Sequence, residues 1–204
     1  FRRVLFRSCS LLVNEKPTPF VKACRKAYAN AFQSKQMRAD FPKLNKVIDK
    51  MIEVIDKQRQ DGPVDFQSLS VKMTLDIIGE VAFDSNLGGL DDTRRMYEYL
   101  LKTGYVARLR FQNPFNRLYC LAFPWSKEAR RQDEIIETAA NEWSKLTQEI
   151  LDKADPLKGE EPIWYSMRNL IDPATNKPVS FKSLRADLAT VVVTGTDTTG
   201  DRKS

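Results

Sequence analysis

Histidine is absent from all 204 residues. That excludes Ser-His-Asp and Cys-His catalysis and the histidine zinc motifs within this chain. Cysteine is scarce: Cys9, Cys24 and Cys120 are widely spaced, with no C-x-x-C. An odd, scattered set argues against a disulfide framework or metal site and for thiols in a reducing compartment. No apolar run approaches the roughly 18 residues of a membrane span, and no signal peptide is evident. Internal repeats and low-complexity tracts are missing, and strand signals are nearly so. What is there is an apolar content of 42%, ordinary for one soluble core. The net charge is +6, but basic residues are dispersed among acidic ones. They read as solvated helix surfaces, with a weak pull towards an anionic membrane or an acidic partner. Nucleic-acid binding is not expected.

The most informative stretch lies close to the end, from Val191 to Gly200. Before it, Phe181, Leu184, Leu188, Val191 and Val192 form an apolar stripe of helical period. Ser180 stands where an N-cap belongs, with Pro178 just outside. The stripe then enters Val191-Val192-Val193-Thr194-Gly195-Thr196, which are poor helix formers. Three features there suit oxygen chemistry. Gly195 lets a flat cofactor or small ligand approach the backbone. Thr194 and Thr198 share a face, so the Thr198 hydroxyl reaches the carbonyl of residue 194, and such back-bonding bends or opens a helix. Asp197 offers an acid that relays protons from solvent. Two other readings stand beside this one. The Gly195–Gly200 segment is also readable as a polar loop after a helix. Alternatively, residues 191–193 form a buried strand entering a phosphate-binding loop. Gly195 and Gly200 have the spacing of G-x-x-x-x-G-K-[ST], but Asp201 and Arg202 stand where that motif needs its Lys and Ser/Thr.

Upstream, the pattern predicts a short basic helix over 19–32 carrying Lys22, Arg25 and Lys26. Pro42 opens a second, with Leu44, Val47, Ile48, Met51 and Ile55 on one face up to Gln60. Asp61-Gly62-Pro63 breaks it. A third, over 65–83, carries Phe66, Leu69, Met73, Ile77 and Val81 along one side and Leu75 and Ile78 on a wider arc, which predicts a central helix. A turn over 86–89 precedes a fourth over 91–108. Residues 111–125 read as an aromatic, Pro-interrupted loop that covers a ligand channel, dips into a membrane surface, or folds back on the core. A long helix follows over 126–154, with Ile136, Ala139, Trp143, Leu146 and Ile150 as its stripe. A shorter one is carried by residues 160–172, and a turn over 172–178 leads into the last. The fold class is all-α.

In this order the motifs resemble a cytochrome P-450, a haem-thiolate monooxygenase. Thr194-Gly195-Thr196-Asp197-Thr198-Thr199 looks like the family's oxygen-activation signature, [Ala/Gly]-Gly-x-[Asp/Glu]-Thr-[Thr/Ser], on its I helix, and residues 184–188 look like that helix's first half. Residues 21–32 are similar to the C-helix pattern Trp-x-x-x-Arg-[Lys/Arg] ending in Ala-Phe. Residues 65–83 look like the E helix, with Asp76-Ile77-Ile78-Gly79 and Val81-Ala82-Phe83. The resemblance covers about residues 15–200 and implies a truncated portion of that fold, C to I helices, with little or no sheet.

It further implies haem b as cofactor, with Arg25 towards a haem propionate and Thr194 and Gly195 beside the haem. Asp197, Thr198 and Thr199 become the catalytic group, steering protons to dioxygen. Electrons would come from NADPH through a reductase, and an apolar substrate, fatty-acid- or terpenoid-like, would gain one oxygen atom. Residues 99–110 and 111–125 are candidates for substrate access. Localisation by resemblance is the cytosolic face of the endoplasmic reticulum membrane, with an anchor preceding residue 1. Val21 replaces the family's usual Trp, and Thr194 the usual Ala or Gly. The family's own Glu-x-x-Arg pair and its Phe-x-x-Gly-x-Arg-x-Cys loop would lie downstream, so no residue here is expected to ligate haem iron, and the fragment itself is expected to be inactive. Residues 1–8 and 201–204 are expected to be sequencing-adapter read-through flanking a single helical domain over 9–200. A non-enzymatic helical scaffold is the alternative.

Overall fold

The computed structural model describes residues 19–29, 34–91, 93–156, 162–173 and 175–200; at 21, 28, 34, 111 and 197–200 it describes the backbone alone. The two segments read as adapter-derived, and Cys9, lie outside the described residues. Within them run α1 (Pro19–Ala29), α2 (Ser34–Gln58), α3 (Phe66–Phe83), α4 (Met96–Gln112), α5 (Pro114–Ala122), α6 (Lys127–Leu151), α7 (Ile163–Arg168) and α8 (Phe181–Gly200). Between α7 and α8 a minimal antiparallel hairpin pairs β1 (Ile171–Asp172) with β2 (Lys177–Pro178). The predicted turn over 172–178 is the tip of that hairpin, with Asn176 in the left-handed region at φ 52°.

Where local chemistry decides, helix ends fall as expected. Asp65 caps α3 by accepting the Ser68 N–H at 3.1 Å, and Ser126 caps α6 by accepting the Ala129 N–H at 3.2 Å. At α8, the Ser180 hydroxyl accepts the Ser183 N–H at 3.3 Å. The strand proposed for 191–193 and the loop proposed for 195–200 are both corrected: all of it is helix. A phosphate-binding loop therefore has no basis here.

Four expectations differ from the structure. First, Pro42 does not open α2 but lies inside it, two turns after Ser34. The turn it weakens is held from outside the backbone ladder: buried Asp40 takes a salt bridge from Lys43 at 3.2 Å, and Lys43 also reaches Asp84 at 2.5 Å. Second, α4 starts at Met96 rather than 91. Asp91 is occupied with loop bonds, accepting from Lys50 Nζ (2.6 Å), Asn86 Nδ2 (3.0 Å) and the Thr93 hydroxyl (2.7 Å). Such side-chain bonds compete with helix. Third, 111–125 is not a loop. The Asn113 side chain accepts the Asn116 N–H at 3.1 Å and Pro114 occupies the first turn, so the proline begins α5 rather than interrupting it. Fourth, α7 spans only Ile163–Arg168, inside the longer helix expected.

The central position of α3 is confirmed: it packs on α8, α2 and α7. One of its faces places Leu69, Met73 and Ile77 with Val47 and Met51 of α2 and with Leu90. Another places Leu75, Ile78, Ala82 and Phe83 in the main core with Leu184, Leu188, Ala189 and Val192 of α8, and with Trp143, Leu146 and Ile150 of α6. Each fully buried leucine or phenylalanine among them contributes about 1.5–3 kcal/mol. Phe66, expected on the buried stripe, is 63% exposed at the helix start.

Asp76 fastens the chain beyond α3 to that helix. It is 2% exposed, and its two oxygens accept the N–H groups of Gly89 (2.7 Å) and Leu90 (2.9 Å). Burial pushes its pKa up, against the pull of those two N–H groups and the Lys50 charge. The approach needs glycine: a Cβ on Gly89 would lie 2.3 Å from the Lys72 carbonyl oxygen.

Candidate functional site

The candidate segment is the C-terminal half of α8, laid against α3. The buried residues of α8 include Leu184, Leu188, Ala189, Val192 and Thr196, and Arg185 donates to the Ser144 hydroxyl at 2.9 Å, tying α8 to α6. This packing overrides the poor helix propensity of the Val and Thr residues, as tertiary context commonly does.

The threonines use their hydroxyls on their own helix. Thr190 donates to the Ala186 carbonyl at 2.8 Å and Thr194 to the Thr190 carbonyl at 2.7 Å. The back-bonding anticipated at Thr198 is thus present one and two turns earlier. The Thr194 hydroxyl thus keeps its polar atom on its own helix. Thr194 and the adjacent Val193 are each only partly buried.

Gly195 has a close neighbour that its sequence context does not reveal. A Cβ built there would meet Ile78 Cδ1 of α3 at 2.4 Å and Ile78 Cγ1 at 3.2 Å. The space left by the missing side chain is filled by this isoleucine. Thr196, which motif reading passes over as the variable position, is 5% exposed, and its hydroxyl has no hydrogen-bond partner among the described residues. A buried orphan of this kind costs about 1–3 kcal/mol, and only coordinates expose it.

Asp197, Thr198 and Thr199 continue α8 as helix, and their side chains lie outside the described residues. Arg25 sits on α1, exposed, in no ion pair among the described residues, while α1 packs on α7. No hydrogen bond or salt bridge joins Arg25 to α8 within them. Val21, in place of the expected tryptophan, has a side chain outside the described set. Cys24 is buried in α1 and Cys120 half-buried in α5, where its Sγ lies 3.7 Å from Gln132 Oε1.

Among these residues the exposed Arg25 is of the type that pairs with a cofactor carboxylate, and Val193 and Thr194 of α8 are partly uncovered. The Cβ direction of Gly195 is taken up by Ile78.

Over 98% of its length the chain superposes on the solved structure of a cytochrome P-450 designated CYP102L1 (TM-score 0.75, 17% identity, 44% of that chain covered). It superposes equally fully on the haem domain of a mutant of cytochrome P450DA (TM-score 0.71, 17% identity, 42% covered). The fold is therefore part of the cytochrome P-450 fold, and the chain spans less than half the length of these structures. The family profile described as cytochrome P-450 matches residues 2–200, so the chain belongs to that family. No curated protein matches it.

Proposed function

We propose that this chain is the central helical part of a haem-dependent monooxygenase acting on an apolar small molecule. The observation that carries the reading is the Thr194–Thr199 motif on an uninterrupted α8, seated against α3 within a fold of this family. When bound, haem b supplies dioxygen activation and the insertion of one oxygen atom into the substrate. Arg25 pairs with a cofactor carboxylate. The Thr194 methyl and Val193 give the cofactor side of α8 an apolar wall that excludes water. The Thr198 hydroxyl holds a proton at its Oγ and passes it inwards, the Asp197 carboxyl replaces it from solvent, and Thr199 prolongs the polar edge. Electrons come from NADPH through a reductase. The substrate is fatty-acid- or terpenoid-like, and the protein works at the cytosolic face of the endoplasmic reticulum membrane.

The membrane part of the proposal rests on α5. It is a helix with no buried residue, and Phe115, Leu118 and Leu121 are each more than 60% exposed. Exposed Phe123 and Trp125 follow directly in the chain, and Arg117, Lys127, Arg130 and Arg131 on the same stretch are exposed too. An exposed apolar helix with basic residues close by in the chain suits the headgroup boundary of an anionic bilayer. Trp125 is the natural reporter, since Trp143 and Trp164 are only 3% and 2% exposed. Brominated anionic vesicles should quench its emission, and unchanged emission rejects membrane docking by α5.

The catalytic part is tested by Thr198→Ala in the full-length protein. Reductant consumption should continue while product falls and hydrogen peroxide rises. Unchanged coupling removes Thr198 from proton delivery.

A further inference from the structure

We infer that Ile78 is a positioning residue for the candidate site, and that Gly195 is glycine because of Ile78 rather than because of a cofactor. The linkage to oxygen chemistry rests on the function proposed above; the packing claim stands by itself.

The argument starts from two contacts. A Cβ at residue 195 would lie 2.4 Å from Ile78 Cδ1 and 3.2 Å from Cγ1. Rotating the terminal methyl of Ile78 relieves the first contact but not the second, because Cγ1 is fixed by the first side-chain torsion, and a β-branched residue in a helix has one strongly preferred rotamer there. Even alanine therefore obliges the two helices to shift by a few tenths of an ångström. Ile78 sits on the α3 face that joins the main core, and α3 and α8 form the most extensive helix pair among the described residues. The seam is close-packed, so it does not deform smoothly.

The Ile78 side chain thus acts as a knob in a one-residue notch of α8. It fixes how far α8 slides along α3 and how it is rotated. Thr194 lies one residue before the notch and the Asp197–Thr199 group starts two residues after it. The register set at Gly195 is therefore inherited within about one turn by every residue assigned to proton delivery. Asp76, two residues before Ile78 on α3, is fastened to Gly89 and Leu90, so the knob stands on a well-anchored part of that helix.

The test is a compensating pair in the full-length protein: Gly195→Ala, Ile78→Ala, the double variant, and Ile78→Val as the conservative control. Hydrogen exchange of peptides covering residues 190–196 is compared with peptides covering 136–150 of α6. Gly195→Ala should speed exchange over 190–196 about tenfold with little change in α6. The double variant should return it to within about threefold of the parent, because the added methyl occupies the room Ile78 vacates. Ile78→Val should behave as the parent. The proposal is overturned by a double variant that exchanges as fast as Gly195→Ala alone, or by equal acceleration in α6. In the same variants, product formed per reductant consumed should fall in Gly195→Ala and recover in the double. Recovery of exchange without recovery of coupling shows that Gly195 serves the cofactor directly, which also overturns the assignment. A parent protein that binds no haem strikes the proposed function alone, leaving the exchange comparison to decide this one.

Discussion

Helices α8 and α5 carry comparable numbers of apolar residues and use them in opposite ways. In α8 Leu184, Leu188, Ala189 and Val192 are buried, and two of its threonines satisfy their hydroxyls on its own carbonyls. In α5 the apolar side chains point outward, and the attachment beneath is polar. Asn116 Oδ1 accepts from Gln132 Nε2 at 3.4 Å, and Gln132, 1% exposed, also accepts from Arg110 Nε at 2.9 Å. Hydrophobic content therefore fails to say which helix is interior; what decides is what lies opposite each face. A buried helix silences its polar groups locally. A surface helix held by a hydrogen-bonded underside leaves its apolar face for something outside the chain.

The sharpest way to break this contrast is to truncate a leucine on each helix. Leu188 is 0% exposed and Leu121 69%. Leu188→Ala should cost about 2–5 kcal/mol, as deletions from a close-packed core do, whereas Leu121→Ala should stay within about 0.5 kcal/mol. Urea denaturation followed by far-ultraviolet circular dichroism measures both. A large loss at Leu121 would mean that α5 packs against something within the chain, ending the membrane-facing reading.

A second measurement probes the anchor on which the α3–α8 seam stands. Asp76→Ala leaves the N–H groups of Gly89 and Leu90 without their acceptor, at a cost on the order of 2–3 kcal/mol. Exchange should accelerate first at residues 86–91. Asp76→Asn should cost less, because the amide retains one acceptor oxygen. The pH dependence has a definite sign. Since the fold raises the Asp76 pKa above 3.8, its contribution is greatest below that value and declines as pH rises through the folded pKa. Asp76→Asn should abolish that decline.

How far the sequence alone reached follows from the range of the interactions involved. Asp65, Ser126 and Ser180 cap helices through bonds spanning three residues, so the starts of α3, α6 and α8 were legible, as were the stripes of α3 and α6. The stretch of α2 before Pro42 was not, because Asp40 and Lys43 are completed by Asp84, far along the chain. Nor was α5, whose proline reads as a break unless Asn113 is recognised as its cap. At the site, the motif did not reveal that Ile78 of α3 lies where a side chain at Gly195 would go. Glycine advertises only that space is needed. That an isoleucine on α3 takes the space is a fact of packing, as is the orphaned hydroxyl of Thr196.

The smallest expected effect concerns the loop that Asp76 holds. Burial alone would raise the Asp91 pKa. Lys50, the hydroxyl and N–H of Thr93, and Asn86 outweigh it and hold the carboxyl well below its usual 3.8. Here the sign is opposite to that at Asp76: a lowered pKa means stability present above 3.8 and lost as pH falls below it towards the folded value. The Lys50–Asp91 pair is about one-third exposed on each side, so solvent screening limits its contribution to about 0–1 kcal/mol. Asp91→Asn should cost no more than that near neutrality and flatten the acid limb of the stability profile below about pH 4. The two variants together sharpen the comparison further. If Asp91→Asn proved as costly as Asp76→Ala, the loop would be held by its exposed ion pair rather than its buried carboxylate. The anchor beneath Ile78 would then weaken with salt, which a buried anchor resists.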